Sequence, residues 1–191
     1  MTKLVGIAGS LRRYSYNRGL LKAAVESVSP DVMLEVAAID EIPLYNADLE
    51  DAMGVPKVVT RIKDAIASAD GLLLVTPEYN NGIPGVFKNV IDWLSRPPTD
   101  IPRVFRGKPV ALIGASAGGF GTVLAQNSWL SVLHMLGTKP WFEGRLLVSH
   151  AGSMFDSSGN LTDKETRERL SRFLDGFVTF VRADDTAPIR G

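Results

Sequence analysis

Five apolar runs punctuate the chain, and between them the hydrophobic positions change to a helical period. Leu4-Val5-Gly6-Ile7-Ala8 is apolar without alternation, the pattern of a strand buried on both faces. From Asn17 to Ser29, Leu20, Leu21, Ala24, Val25 and Val28 share one stripe, which predicts a helix. Met33 to Ile39 predicts a second strand, and Ile42 to Asp48 a proline-containing loop. Pro56 to Ser68 predicts a helix with Val58, Val59, Ile62, Ala65 and Ile66 inward and Pro56 suited to its first turn. Gly71 to Thr76 reads as a third strand, Pro84 to about Ser95 as a helix, and Pro109 to Ala115 as a fourth strand. A helix ending near Gly137 and a fifth strand between Lys139 and Val148 follow. Thr162 to Arg182 predicts a long amphipathic helix, with Thr162 and Glu165 at capping-box spacing. The tail after Arg182 is polar and reads as frayed.

Five alternations of strand and helix, with no repeat and no linker, call for a parallel sheet covered by helices on both faces. Five strands suit the flavodoxin-like order, in which a ligand sits at the switch point beside the first strand. The 191 residues, 45% of them hydrophobic, suffice for one domain spanning 1–191.

Two loops leave adjacent strands and open into helices. Gly9-Ser10-Leu11-Arg12-Arg13-Tyr14-Ser15-Tyr16-Asn17 offers hydroxyls from Ser10 and Ser15, an amide from Asn17 and guanidinium groups from Arg12 and Arg13, ahead of a helix N-terminus. That donor set suits a terminal phosphate. A dinucleotide fingerprint would need two further glycines beside Gly9, and Gly114 to Gly119 lacks the lysine and hydroxyl of a Walker loop. Pro77-Glu78-Tyr79-Asn80-Asn81-Gly82-Ile83-Pro84-Gly85 combines a stiff exit, a broad ring, amides and close-approach glycines, which suits a flat heterocycle. A third loop, Ser116 to Gly121, offers amides that suit the charge collecting on a reduced flavin. Together the loops suggest flavin mononucleotide, FMN.

Charge and composition narrow the field. Twenty-one basic residues balance twenty-one acidic ones, which argues against a nucleic-acid surface and against the acidic face of a docking electron carrier. Cysteine is absent, which excludes thiolate catalysis and disulfides. His134 and His150 lack companions at ligand spacing, so no metal is assigned. His134 reads as a core or interface histidine and His150 as a loop residue open to solvent, while Trp129, Trp141 and Phe142 read as packing residues. No signal peptide and no membrane-length apolar run are visible, which makes a cytoplasmic protein the expectation.

The set Gly9-Ser10-Leu11-Arg12 with Ser15 and Asn17, Pro77-Glu78-Tyr79-Asn80, Lys88-Asn89 and Asp92-Trp93-Leu94-Ser95-Arg96 resembles the NADPH-dependent FMN reductase family, and within it the bacterial chromate and quinone reductases. The resemblance runs from Lys3 to about Asp163. It implies noncovalent FMN, NADPH or NADH as co-substrate, and two-electron reduction of quinones, azo compounds, free flavin or oxyanions such as chromate. It also implies a homodimer or homotetramer. By the same resemblance Ser10, Arg12, Ser15, Tyr16 and Asn17 hold the phosphate and ribityl chain. Pro77, Glu78, Tyr79 and Asn80 flank the ring, and Ser116 and Gly118 meet its pyrimidine side.

No protein acid is assigned to catalysis, since hydride transfer needs none; Glu78 is expected to orient its loop or to contact a partner subunit. The competing functions are a flavodoxin-type electron carrier and a cofactor-free interaction module. On a helical wheel Val86, Phe87, Val90, Ile91, Trp93 and Leu94 spread beyond the ~100° stripe that covers a sheet face. The excess around Trp93 and Val86 predicts a dimer contact, or a cover supplied by the chain's own Pro97 to Arg106 segment.

Overall fold

In the computed structural model, which describes residues 1–185, five parallel strands lie in the order β2-β1-β3-β4-β5, with a sixth, β6, also on β4. They are β1 Thr2–Ala8, β2 Val32–Ala37, β3 Gly71–Val75, β4 Pro109–Ala115, β5 Lys139–Pro140 and β6 Leu146–Val148. The helices are α1 Tyr16–Ser27, α2 Ala47–Met53, α3 Lys57–Ala67, α4 Gly85–Leu94, α5 Ile101–Val104, α6 Val123–Met135 and α7 Lys164–Asp185. This is the expected flavodoxin-like α/β architecture. β3 shows why its run is apolar throughout: Leu73 and Val75 enter the core under α1 and α7, while Leu72 and Leu74 enter the one under α3, α4 and α6. Among the described residues no helix is long and apolar enough to cross a membrane.

Several expectations change in detail. The predicted fifth strand is two short pieces. Trp141 N–H still donates to Val110 O at 2.8 Å, but its ring turns under α7 against Phe173 and Phe177, and the chain rejoins β4 only at Leu146. α2 starts inside the loop expected over Ile42–Asp48 and runs on to Met53; none of its residues is fully buried, so it leaves no hydrophobic period, and Asn46 caps it through Asp48 N–H. The capping residue of α7 is Asp163, whose Oδ2 accepts from Thr166 N–H at 2.8 Å, while Thr162 turns back to Met154 O. Thr166, through its side chain first and its N–H second, holds the Asp163 carboxyl below the usual carboxylate range. The expected fraying after Arg182 does not apply to Ala183–Asp185, which complete α7; Thr186 to Gly191 lie outside the described residues. Trp129 and Trp141 are packed as expected, but Phe142 is 72% exposed and His134 faces solvent on the outer side of α6. His150 is exposed.

Trp93 is corrected most sharply. It is fully buried, and its cover is the chain's own turn at Pro43–Tyr45 rather than residues 97–106 or a partner. The indole Nε1 donates to Pro43 O at 2.8 Å and Tyr45 meets the ring edge-on at 5.0 Å. Asn89 doubles the clasp, donating to Pro43 O and accepting from Tyr45 N–H. Arg96 and the Tyr45 hydroxyl both donate to Glu50 Oε2, which fastens α2 to the end of α4. A helical wheel cannot register such a cover, because the covering turn lies about fifty residues upstream.

Residues 96–103 are held to α3 by a buried cation. Lys63, 3% exposed, donates to Arg96 O and pairs with Asp100, both at 2.6 Å. The Lys63 bond, aided by Arg103, holds the Asp100 carboxyl below its usual range. Asp100→Asn is expected to destabilise the protein by about 2–3 kcal/mol in urea unfolding, since it leaves a buried ammonium without its counter-charge while solvent still reaches one side. Because the folded value is depressed, the pair's stabilisation is complete above the unfolded aspartate value and is lost as pH falls through the folded one. The Asp100→Asn protein should therefore show a narrower stability gap between neutral and acid conditions than the wild type.

Candidate functional site

Three loops leave the carboxyl ends of β1, β3 and β4 at one level, because the first residue of each still belongs to the sheet's hydrogen bonding. Gly9 N–H donates to Val75 O at 3.0 Å, Thr76 N–H to Ile113 O at 2.8 Å and Ser116 N–H to Val148 O at 3.0 Å. Gly9 also has to be glycine. A Cβ there would stand 2.0 Å from Phe87 Cδ1, so the first loop lies directly on the α4 ring. Phe87 meets Trp129 edge-on at 4.9 Å, Trp129 Nε1 donates to Thr76 Oγ1, and the Thr76 hydroxyl donates to Pro77 O. This packed layer supports the bases of the first two loops.

In the first loop Ser15 is the N-cap of α1, its Oγ accepting from Asn17 and Arg18 N–H, and Ser10 Oγ accepts from Arg12 N–H. Neither hydroxyl proton has an acceptor among the described residues, so both remain available to a ligand. Arg12 stays exposed but is not loose: Nε and Nη2 donate to Tyr14 O at 3.2 and 2.8 Å, and the guanidinium lies 5.0 Å from the centre of the Tyr16 ring. Asn17 departs from expectation. Its side-chain amide, expected to face a phosphate, is spent on the backbone of Ala115: Nδ2 donates to Ala115 O at 2.8 Å and Oδ1 accepts from Ala115 N–H at 2.9 Å. An amide side chain presents the donor and acceptor of a peptide, and here it extends the hydrogen bonding of β4 by one rung.

The second loop turns on Asn80 and Asn81, with φ of 50° and 61°, while Tyr79 and Gly82 exchange backbone bonds of 3.2 and 3.1 Å. Two consecutive positive φ values between a bonded pair are the requirement of a type I′ turn, which explains the paired asparagines. The turn leaves Tyr79 54% exposed at the rim. Glu78 points the other way: Oε2 accepts from both Leu124 and Ala125 N–H at 2.9 Å, the first turn of α6.

In the third loop Ser116 lines the cavity, but its donors are engaged by the protein. Its hydroxyl donates to Gly121 O and its N–H to Val148 O, so neither donor is free for a ring. The N–H groups of Ala117, Gly118 and Gly119 have no acceptor among the described residues and form the open amide row instead. No motif marks Trp141 to His150 in the sequence, yet the end of that segment holds this loop. His150 N–H donates to Gly118 O and Ala151 N–H to Ser116 O, both at 3.0 Å. His150 takes a left-handed backbone (φ 49°, ψ 40°) to reach Gly118, a tertiary contact with no local signal in the sequence.

All eleven expected residues, Ser10, Arg12, Ser15, Tyr16, Asn17, Pro77, Glu78, Tyr79, Asn80, Ser116 and Gly118, line one cavity of about 380 Å³. That volume lies within the ~300–1,000 Å³ of small-molecule sites. Arg12 and Glu78 are the charged residues of the lining, one in the first loop and the other turned to α6. Among the described residues no group of three or more histidine, aspartate or glutamate side chains is placed to hold a metal ion.

Residues 2–153 match the model of the family described as NADPH-dependent FMN reductase. The chain is 44% identical over 180 residues to an NAD(P)H-dependent FMN reductase of Pseudomonas aeruginosa, covering 94% of this chain and 95% of that one. It is 38% identical over 180 residues to a 2-hydroxy-1,4-benzoquinone reductase of a Burkholderia species, covering 94% and 96%. Among solved structures, the flavoenzyme NAD(P)H:(acceptor) oxidoreductase FerB of Paracoccus denitrificans superposes with a TM-score of 0.84 at 33% identity. That match covers 96% of this chain and 99% of that one.

The Asn17–Ala115 clasp should be visible in stability without any ligand. Asn17→Ala leaves the N–H and C=O of Ala115 unpaired in a buried position and is expected to cost about 2–4 kcal/mol. Asn17→Asp should recover little of this, since it brings a carboxylate oxygen against Ala115 O. Urea midpoints of the three proteins measure both.

Proposed function

The chain belongs to the NADPH-dependent FMN reductase family, and on that premise we propose that it is an FMN-dependent NAD(P)H oxidoreductase whose acceptors are quinones. The carrying observation is the gathering of all eleven candidate residues around one cavity at the switch point between β1 and β3. By family resemblance its further acceptors are azo compounds, free flavin and oxyanions such as chromate. A homodimer or homotetramer of single-domain subunits rests on the same ground, with no contribution from the buried Trp93.

The residues present fit FMN on their donor chemistry. At the first loop, the Ser10 and Ser15 hydroxyls, the backbone amides before α1 and the Arg12 guanidinium form a donor-rich pocket with no carboxylate in that loop, which suits a phosphate dianion. At the other end, Ala117 and Gly118, whose amides have no acceptor among the described residues, line the cavity together with Pro77 and Tyr79, which suits the polar edge of a flat ring.

When bound, FMN supplies a two-electron centre that accepts hydride from a nicotinamide nucleotide and returns it to an acceptor. The cavity lining would hold that centre in place and leave one ring face open to substrates. The amide row stabilises negative charge on the adjoining ring edge. Arg12, preset by Tyr14 O and Tyr16, neutralises the phosphate with little further loss of side-chain freedom.

Anaerobic addition of NADPH or NADH to the FMN-loaded protein should bleach its visible flavin band, and a quinone should restore it. A band unchanged by either nucleotide overturns the proposal. Arg12→Ala should weaken FMN by about 10- to 150-fold, the equivalent of a lost charge-assisted bond of about 1.5–3 kcal/mol, in a fluorescence titration. With one open side serving both substrates in turn, double-reciprocal plots should be parallel lines.

A further inference from the structure

The first turn of α6 is capped from outside its own sequence. Thr122 occupies the N-cap position but makes no capping bond; it is fully buried and its Oγ1 accepts from Gln126 Nε2 instead. The two amides that an N-cap side chain would satisfy, those of Leu124 and Ala125, donate to Glu78 Oε2, both at 2.9 Å. Glu78 lies forty-six residues upstream, in the second loop. One carboxylate oxygen therefore joins the loop that bounds the flat part of the cavity to the helix that follows the amide row.

The remaining attachments of these two loops show why that bond matters. The second loop is fixed at its base by Thr76 and closed on itself by the Tyr79–Gly82 pair. The third is fixed at its base by Ser116 and from behind by His150 and Ala151. Besides the Trp129–Thr76 bond at the base, the Glu78 bonds are, among the described residues, the side-chain hydrogen bonds that run from the second loop to the segment following the third. The negative end of the bond also meets the positive end of the α6 dipole, which favours the closed arrangement.

We propose that Glu78 is a positioning residue: by capping α6 from the second loop it sets the width of the cleft between the Pro77–Tyr79 wall and the Ala117–Gly119 amide row, and with it the affinity for the flavin ring. The inference rests on the cavity being the FMN site. It assigns Glu78 no contact with the phosphate and no role as an acid. The loss on removing it should therefore fall on the ring, whereas the loss on removing Arg12 falls on the phosphate.

Amide hydrogen exchange of the apoprotein and flavin titrations of Glu78→Ala, Glu78→Gln and the wild type test this. Glu78→Ala should speed exchange at Leu124 and Ala125 by about fivefold to thirtyfold, the equilibrium equivalent of a lost helix cap. It should weaken riboflavin and FMN by the same factor of about tenfold, which lies within the range of a lost cap. Glu78→Gln, whose side-chain carbonyl accepts the same two bonds, should return both readouts to near wild type. Unchanged exchange at the two amides, or unchanged flavin affinity in Glu78→Ala, overturns the proposal. So does a glutamine variant as weak as the alanine one, which would make charge rather than the tether the cause. A wild-type protein that binds neither flavin instead overturns the FMN reading, while the exchange data still decide whether Glu78 caps α6.

Discussion

The parallel ladder reaching one residue past each strand is the constraint on which the rest depends. Gly9, Thr76 and Ser116 each donate to the neighbouring strand, so three loops start at one height and turn their free amides toward a shared space. Parallel strands cannot reverse into one another and must cross over through helices, so every such loop opens toward a helix N-terminus. The absence of a side chain at Gly9 lets the first loop rest on Phe87, and Phe87 rests on Trp129. The loops that line the cavity thus rest on hydrophobic packing.

Side chains then couple walls that the ladder alone leaves independent. Asn17 ties the start of α1 to the end of β4, Glu78 ties the second loop to α6, and His150 accepts a left-handed backbone to hold the third loop. Each bridges segments far apart in the chain. Their polar atoms are consumed by the protein, whereas the Ser10 and Ser15 hydroxyl protons and the Ala117 and Gly118 amides have no acceptor among the described residues. Such a division favours a rigid cleft, since the groups that would contact a ligand are held by others that do not.

A second set of contacts seals the α4 side. Trp93, Asn89 and Arg96 clamp the turn at Pro43–Tyr45 and the short helix α2, and Lys63 anchors the segment after α4 through Asp100. The apolar excess of α4 is thereby consumed within one chain. Leu44, 80% exposed, and Met53, 78% exposed, are the large apolar side chains that this strap turns outward.

The alternation of apolar runs and helical stripes determined the parallel sheet, the five helices with a buried stripe and the three loops at its carboxyl edge, because burial on both faces and helix period are local properties of a sequence. It also determined which residues would gather at the cavity, since a loop's place in a parallel sheet follows from its place in the chain. What each residue does there was decided by tertiary structure. Asn17 and Ser116 carry free donors in a sequence and spent ones in the fold, because their acceptors, at Ala115, Gly121 and Val148, arrive from other segments or by a turn of the loop. Trp93 reads as an exposed edge until Pro43 covers it, and α2 leaves no period because none of its residues is fully buried. Periodicity reports how much surface must be covered; only the folded chain shows which segment covers it.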